Sequence, residues 1–350
     1  MAAFTSKDVA RIAGVSQSTV SYVMTGKRPI SGRTRQRVLD AMAELTYEPN
    51  AGARALAGRR TQVVGLVVPF GDAGAVTGLL PFIETIASSA RANDHEVLLV
   101  TADEGSAGLK RLAGRALCDA IIMMDIREQD DRVPVAAALG VPVVCVGVPD
   151  DPAGLYCVDL DFESAARMAV DELADTAHDE ILVVGYPAAM IDRQFNFVGR
   201  VMRSVRERAA ARGIPLTVLQ PSELGRDGAA AAADAIQARR SGRRLGVFVP
   251  LSQTIGALLH ALRARDVVPG HDVSLVGLST DRQAEEGEPP YTNVSEEPRD
   301  VSRRAMETLF WLLDPTPGVG RPLIDLVVPR LTRRGTVMPP PAKAVRTSSP

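Results

Sequence analysis

The chain has 350 residues, 46% of them hydrophobic and 23% charged. That is enough apolar material for two or three packed domains and excludes a disordered polymer. Aromatics make up only 4% and the formal net charge is −2, which excludes broad stacking platforms and a uniformly basic nucleic-acid binder.

Charge is unevenly spread. Residues 1–60 carry ten Lys and Arg against four carboxylates, a net +6, and the remainder carries −8. A basic head on an acidic body is the asymmetry of a nucleic-acid module tethered to a different module. The N-terminus has no apolar signal core, and no run of about 18 apolar residues exists, so a cytoplasmic chain without a membrane span is expected. Cys118, Cys145 and Cys157 lack metal spacing and predict buried free thiols.

Residues 6–45 predict three short helices. Ser6 is the expected N-cap of Lys7–Ala13, with Val9, Ala10 and Ala13 on the apolar face. Gly14 supplies the positive φ of a turn, and Ser16 caps a second helix over Gln17–Met24. Val20, Val23 and Met24 point inward. After a loop at Thr25–Pro29, Ser31 caps a third helix to about Leu45, with Val38, Leu39, Met42 and Leu45 inward. Pro49 and Asn50 then break the pattern, and residues 51–58 can form only one or two turns.

From Thr61 apolar runs alternate with amphipathic stretches. The runs are VVGLVV (63–68), EVLLV (96–100), AIIMM (120–124), VPVVCV (141–146), ILVVG (181–185), LGVFV (245–249) and VSLVG (273–277). Strands this apolar are buried on both faces, as in parallel sheets with helices on each side. Two such series predict two doubly wound α/β subdomains. The tail from Pro339 reads as disordered.

Two helices around a Gly-containing turn form a helix-turn-helix, whose second helix enters the major groove. Its exposed face offers Gln17, Ser18, Ser21 and Tyr22. Gln can pair with adenine through two hydrogen bonds, and Ser reads either base type. Thr5, Ser6, Ser16, Thr19 and Thr25 suit phosphate contacts that fix register. A three-helix protein-interaction domain is the alternative, and the +6 charge weighs against it.

The motif D-V-A-x-x-A-G-V-S-x-x-T-V-S at Asp8–Ser21, Tyr-x-Pro-Asn at Tyr47–Asn50 and Ala-Leu-Ala-Gly at Ala55–Gly58 together resemble the lactose/galactose-repressor (LacI) family of bacterial transcription factors. The resemblance implies an all-α helix-turn-helix head (residues 1–48) and a hinge helix with linker (49–60). It also implies a periplasmic-binding-protein-like α/β core (61–338) of two doubly wound parallel-sheet subdomains, and a disordered tail (339–350). The expected N-subdomain spans about 61–160 and 292–318, and the C-subdomain about 161–291 and 319–338. Asn50, Ala53 and Leu56 fall on the hinge, which the resemblance places against DNA. Leu56 would wedge into the minor groove or pack on the partner's linker. The physics of the segment agrees, because an isolated helix of about eight residues is marginal in water. A homodimer on a pseudo-palindromic operator, controlled by a small molecule in the core cleft, is implied as well.

Effector positions are less faithful to the family. Arg193 holds the place of its effector-binding Arg, or forms an internal ion pair. Phe70, Asp72 and Asp125 follow predicted strand ends, where ligands bind in such folds or where plain surface loops lie. Ser279 stands where the family has an aspartate. Pro250 and Leu251 replace an Asn-Asp pair, Phe162 replaces an Asn, Asn196 replaces a Gly, and Glu223 sits where a cleft ring is usual. These changes remove sugar partners and a stacking face, so a monosaccharide effector is doubtful. A regulator whose cleft has lost sugar binding, and which is constitutive or protein-controlled, is the alternative.

No catalytic constellation, phosphate loop or dinucleotide fingerprint is present, and His95, His178, His260 and His271 are scattered. No enzyme activity, cofactor or metal is expected.

Overall fold

The structure is a computed structural model. It describes residues 4–25, 28–47, 60–68, 76–221, 223, 225–318 and 320–340. Asn50, Ala53, Leu56, Phe70, Asp72 and the tail beyond residue 340 lie outside the described residues, as does the side chain of Thr25.

The head holds α1 (Ser6–Ala13), α2 (Gln17–Thr25) and α3 (Gly32–Glu44). Thr5, rather than the expected Ser6, is the N-cap of α1. Its backbone N–H and hydroxyl reach the Asp8 carboxylate at 2.9 and 2.8 Å. A capping box needs an acid or amide three residues on, and only Thr5 has one. Gly14 takes φ 61°. Arg37 of α3 closes the turn by donating to the carbonyls of Ala13 and Gly14.

Val9, Val20 and Val38 are fully buried between the three helices. Leu39 departs from expectation and is 43% exposed, while Ala41 is buried. Val38, Ala41, Met42 and Leu45 follow i, i+3, i+4, i+7, and Leu39 lies about 100° off that stripe.

The core is two six-stranded sheets. β1 (Val63–Val68), β2 (Glu96–Thr101), β3 (Ala120–Met123), β4 (Val143–Val146), β5 (Tyr156–Leu160) and β11 (Ile324–Val327) form the first, in the order β11-β5-β4-β3-β1-β2. β6 (Glu180–Val184), β7 (Leu216–Leu219), β8 (Leu245–Val249), β9 (Ser274–Ser279), β10 (Thr292–Ser295) and β12 (Leu331–Thr332) form the second, in the order β12-β10-β9-β8-β6-β7. All pairings are parallel except β10 with β12.

Crossover helices cover both faces. They are α4 (Val76–Ala92), α5 (Gly105–Gly114), α6 (Arg132–Ala137), α7 (Phe162–Asp175), α8 (Ala188–Asp192) and α9 (Asn196–Arg212), then α10 (Arg226–Arg239), α11 (Ser252–Arg263), α12 (Asp281–Glu285) and α13 (Pro298–Leu313). Cys118, Cys145 and Cys157 are free and buried beneath the first sheet's helices.

The expected subdomain boundaries need two corrections. Thr292–Ser295 was assigned to the first subdomain but pairs with β9 in the second sheet. Ile324–Val327 was assigned to the second but pairs with β5 in the first. The chain thus crosses after Leu160, after Ser295 and after Val327. Both strands are four residues long; β10 is mostly polar (Thr292, Asn293, Ser295), so its pattern does not mark it as a strand beside β9, and β11 pairs with β5 far back in the chain.

Gly14→Ala places a side chain at positive φ, 2.7 Å from the Arg37 guanidinium. The expected loss is about 1–2 kcal/mol, confined to the head. Amide hydrogen exchange on the full chain should show weaker protection over α1–α3 and an unchanged core.

Candidate functional site

The head presents a small-residue polar face. Gln17 and Ser18 are exposed at the start of α2, and Ser21 and Tyr22 are half-buried one turn later. No acidic residue lies in the helix's first turn and no basic residue in its last, so α2 offers hydrogen-bonding groups rather than charge. Ser16 receives the Thr19 N–H at 3.1 Å and holds the start of the helix. Gln17 donates to the Ser6 hydroxyl at 2.9 Å, tying α2 to α1. The Arg28 guanidinium lies 5.5 Å above the Tyr22 ring. Lys7, Arg11, Arg28, Arg33 and Arg35 of the head are exposed as well. Neutral readers flanked by cations is the division of labour that groove recognition requires.

Where the chain enters the core, two carboxylates grip it. Asp314 accepts two hydrogen bonds from Arg60 at 2.8 and 2.9 Å. Asp119 accepts the Thr61 and Gln62 N–H groups at 2.6 and 2.7 Å.

A cavity of about 690 Å³ separates the two subdomains. One wall comes from the ends of β3, β4 and β5, with α4 and the start of α13. The other comes from the starts of α7, α9, α11 and α12. Ligands bind at such strand ends in open α/β sheets.

Asp125 lines this cavity directly after β3, at φ 61°. Arg132 donates to its carbonyl and is itself fixed on Asp130 at 2.6 Å. The Asp125 carboxylate is pushed upward in pKa by burial, against the opposing pull of Arg193 and then Arg132. Arg193 stands 3.3 Å from it and stacks over Phe195 at 4.8 Å. Its guanidinium is thus held in the internal ion pair and does not line the cavity. Ser279 is fully buried; its hydroxyl accepts from Tyr291 at 3.0 Å, and the neighbouring Thr280 lines the cavity instead.

Beside Asp125 the two subdomains touch. Arg127 and Phe195 form an antiparallel bridge, and the Glu128 N–H reaches the Gln194 carbonyl at 2.9 Å. The Asn196 side-chain amide donates to the Ile126 carbonyl at 2.9 Å.

The expected loss of a stacking face is corrected by the structure. Glu223 is exposed and away from the cavity, but Phe162, Phe195 and Phe197 all line it. Phe197 stacks on Phe162 at 5.5 Å and on Phe195 at 5.7 Å. The signal was present in the sequence: Phe162 follows a strand end, and the other two flank Asn196. Pro250 and Leu251 line the cavity as apolar wall.

Two further carboxylates were missed. Asp159 lies 2.6 Å from Arg200, which also holds Glu163 at 2.7 Å. Burial outweighs Arg200 and pushes Asp159 up to about 6. Glu296 is pushed up to about 7 by burial, with only a Ser252 hydrogen bond opposing.

Comparison with known proteins places this arrangement. Residues 5–50 match the family described as bacterial regulatory proteins, lacI family, and residues 170–337 match the periplasmic binding protein-like domain. The HTH-type transcriptional regulator CelR of Thermobifida fusca is 30% identical over 325 residues, covering 86% of this chain and 89% of CelR. The chain belongs to the LacI family of transcriptional regulators. Catabolite control protein A of Priestia megaterium is 26% identical over 308 residues, covering 86% of this chain and 90% of its own. The fold of this LacI-family member matches that of the lac repressor dimer bound to operator and an anti-inducer, with a TM-score of 0.79 and 22% identity over 96% of this chain and all of that one. Among the described residues no helix is long and apolar enough to cross a membrane.

Asp159 and Glu296 bind their protons more tightly folded than unfolded. Folding is therefore favoured as pH falls, and stability is lost as pH rises from about 4 to 6 for Asp159 and from about 4.5 to 7 for Glu296. Glu296→Gln removes the second contribution. Its unfolding free energy at pH 8 should exceed the parent's by roughly 3 kcal/mol, with a higher melting temperature, and its pH dependence between 4.5 and 7 should flatten. Calorimetry across this range checks both; a less stable variant at pH 8 contradicts the assignment.

Proposed function

We propose that the chain is a homodimeric repressor that binds a pseudo-palindromic operator and is controlled by a small molecule held in the inter-subdomain cleft. The observation that carries this reading is one chain with both an uncharged, exposed α2 face and a sizeable cavity between two hinged sheets. Gln17, Ser18, Ser21 and Tyr22 read base edges, while Thr5, Ser6, Ser16, Thr19, Thr25 and the surrounding Arg and Lys residues hold phosphates. Asn50, Ala53 and Leu56 belong to the hinge, where Leu56 opens a base step in the minor groove. Two heads reading two half-sites follow from two-fold symmetry.

The cleft reports ligand to the head through differential affinity. A ligand that prefers the subdomain arrangement incompatible with DNA lowers operator affinity, and one that prefers the other raises it. The reading in which the cleft has no ligand rests on Pro250, Leu251 and Ser279 replacing polar positions. The open cavity, walled by Pro250 and Leu251 rather than filled by them, favours the ligand-controlled reading. Phe70, Asp72 and Asp125 are the proposed ligand contacts on the first subdomain, with Arg193 positioning Asp125.

Operator selection from random duplexes, followed by anisotropy titration at fixed salt, tests the assignment. Gln17→Ala should weaken the selected site by about 1–3 kcal/mol and relax the preference at one base pair. Leu56→Ala should weaken the selected site far more than random DNA. Equal losses on both duplexes would remove Leu56 from the groove.

A further inference from the structure

The charge balance of the cavity wall is unequal. Six carboxylates line it: Glu84, Asp125, Asp159, Glu286, Glu296 and Glu297. Five have a cation within the protein. Glu84 pairs with Arg299, Asp125 with Arg193, Asp159 with Arg200, Glu286 with Arg282 and Glu297 with Arg330. Glu296 has no such partner among the described residues. The two arginines that line the cavity, Arg282 and Arg299, are already engaged with Glu286 and Glu84.

Hydrogen-bonding capacity is skewed the same way. One buried side-chain atom of the lining residues, Asn196 Oδ1, lacks a hydrogen bond among the described residues, and it is an acceptor. Asn196 is only 3% exposed. One side of the wall is apolar, with the rings of Phe162, Phe195 and Phe197 beside Met190 and Leu251, while Ser252, Gln253, Thr280 and Gln283 add neutral polar groups near Glu296. A buried carboxylate held by one neutral hydroxyl, as Glu296 is by Ser252, is costly unless a cation joins it. Aromatic faces also favour a cation beside them.

We propose that the cleft ligand is a small organic amine, with its protonated nitrogen on Glu296 and a ring-bearing apolar body along Phe162, Phe195 and Phe197. This deepens the ligand-controlled reading above and rests on it. A neutral sugar leaves the Glu296 carboxylate without a cation, and an organic acid adds a second negative charge beside it while the arginines of the wall are already paired. Burial raises the Glu296 carboxyl, and no cation of the protein counters it.

The test is calorimetric titration of the full-length protein with phenethylamine and tryptamine. The controls are phenethyl alcohol as the neutral counterpart, 3-phenylpropionate as the acid, and glucose and cellobiose as sugars. The amines should bind at least tenfold more tightly than the alcohol, and the acid should not bind. Glu296→Gln should remove that preference, and Glu296→Asp, which keeps the charge, should retain part of it. The amine-to-alcohol ratio on the unaltered protein stands even if a variant fails to fold. Binding of a sugar or the alcohol as tight as the amines, or no amine binding at millimolar concentration, overturns the proposal. Operator affinity measured with saturating amine separates the two ideas. Amines that bind yet leave operator affinity unchanged uphold the ligand class and overturn the regulatory reading. A sugar that binds and shifts operator affinity does the reverse.

Discussion

Gly147 stands at the end of β4 with φ 124°, and a side chain there would meet the Asn196 amide at 2.6 Å and the Ile126 Cβ at 2.8 Å. Into the space it leaves, Asn196 of the second subdomain reaches across to the Ile126 carbonyl. That contact sets the distance between the sheets on one side of the cleft, and so decides which residues face each other across it. Asp125 is presented by the same turn. Its left-handed backbone persists because the Arg132–Asp130 pair beneath it is almost wholly enclosed and fixes the carbonyl. A non-glycine residue in this region is costly and is retained where the surroundings over-determine it. Here the surroundings are the walls of a cavity.

The charged groups around the cleft act as specifiers of geometry more than as sources of stability. A buried ion pair often does no better than a well-packed apolar pair, but losing one partner strands the other. Arg200 shows the principle: it binds Asp159 from β5, the strand before the first crossing, and Glu163 from α7, and lies 5.6 Å over the Phe162 ring. Three elements are thereby locked at the point where the chain passes from one sheet to the other. Burial still holds Asp159 above the usual carboxylate range, so the pair is maintained against a desolvation penalty.

Legibility in the sequence tracked the range of the interactions. The head was readable almost residue by residue, because its caps, its turn at Gly14 and its apolar stripe are all local. Even there, Ser6 and Leu39 were misplaced by one position, the capping partner and the helical angle being finer than the apolar pattern. The long apolar strands were visible for the same local reason. β11 falls in the wrong subdomain because its partner, β5, is far away in the chain, and β10 because its short, mostly polar run does not read as a strand beside β9. The cleft was the least legible. Reading Phe162 and Asn196 as losses was natural when each was compared with a polar position, yet the three rings become one wall only when α7 and α9 pack side by side. Glu296 gave no signal, since its lack of a cation depends on five other carboxylates having taken theirs.

The cleft and the chain's entry into the core are joined by α13. Its first residues, Pro298, Arg299 and Val301, line the cavity. Val301, Ala305, Met306 and Leu309 then bury one face beneath the first sheet. At its far end, the Leu313 carbonyl and the Asp314 carboxylate hold Arg60, the first described residue after the linker. Sixteen helical residues span ~24 Å, so one continuous helix joins the cleft to the chain's entry into the core. Asp119 fixes the next two residues, Thr61 and Gln62, so the entering strand cannot slide independently of the sheet. Under the regulatory reading, a ligand that moves the start of α13 moves the anchorage of the linker as a rigid unit. The short linker then has to form its hinge against DNA from an altered starting point, and a segment so marginal on its own is the element most easily tipped by such a change.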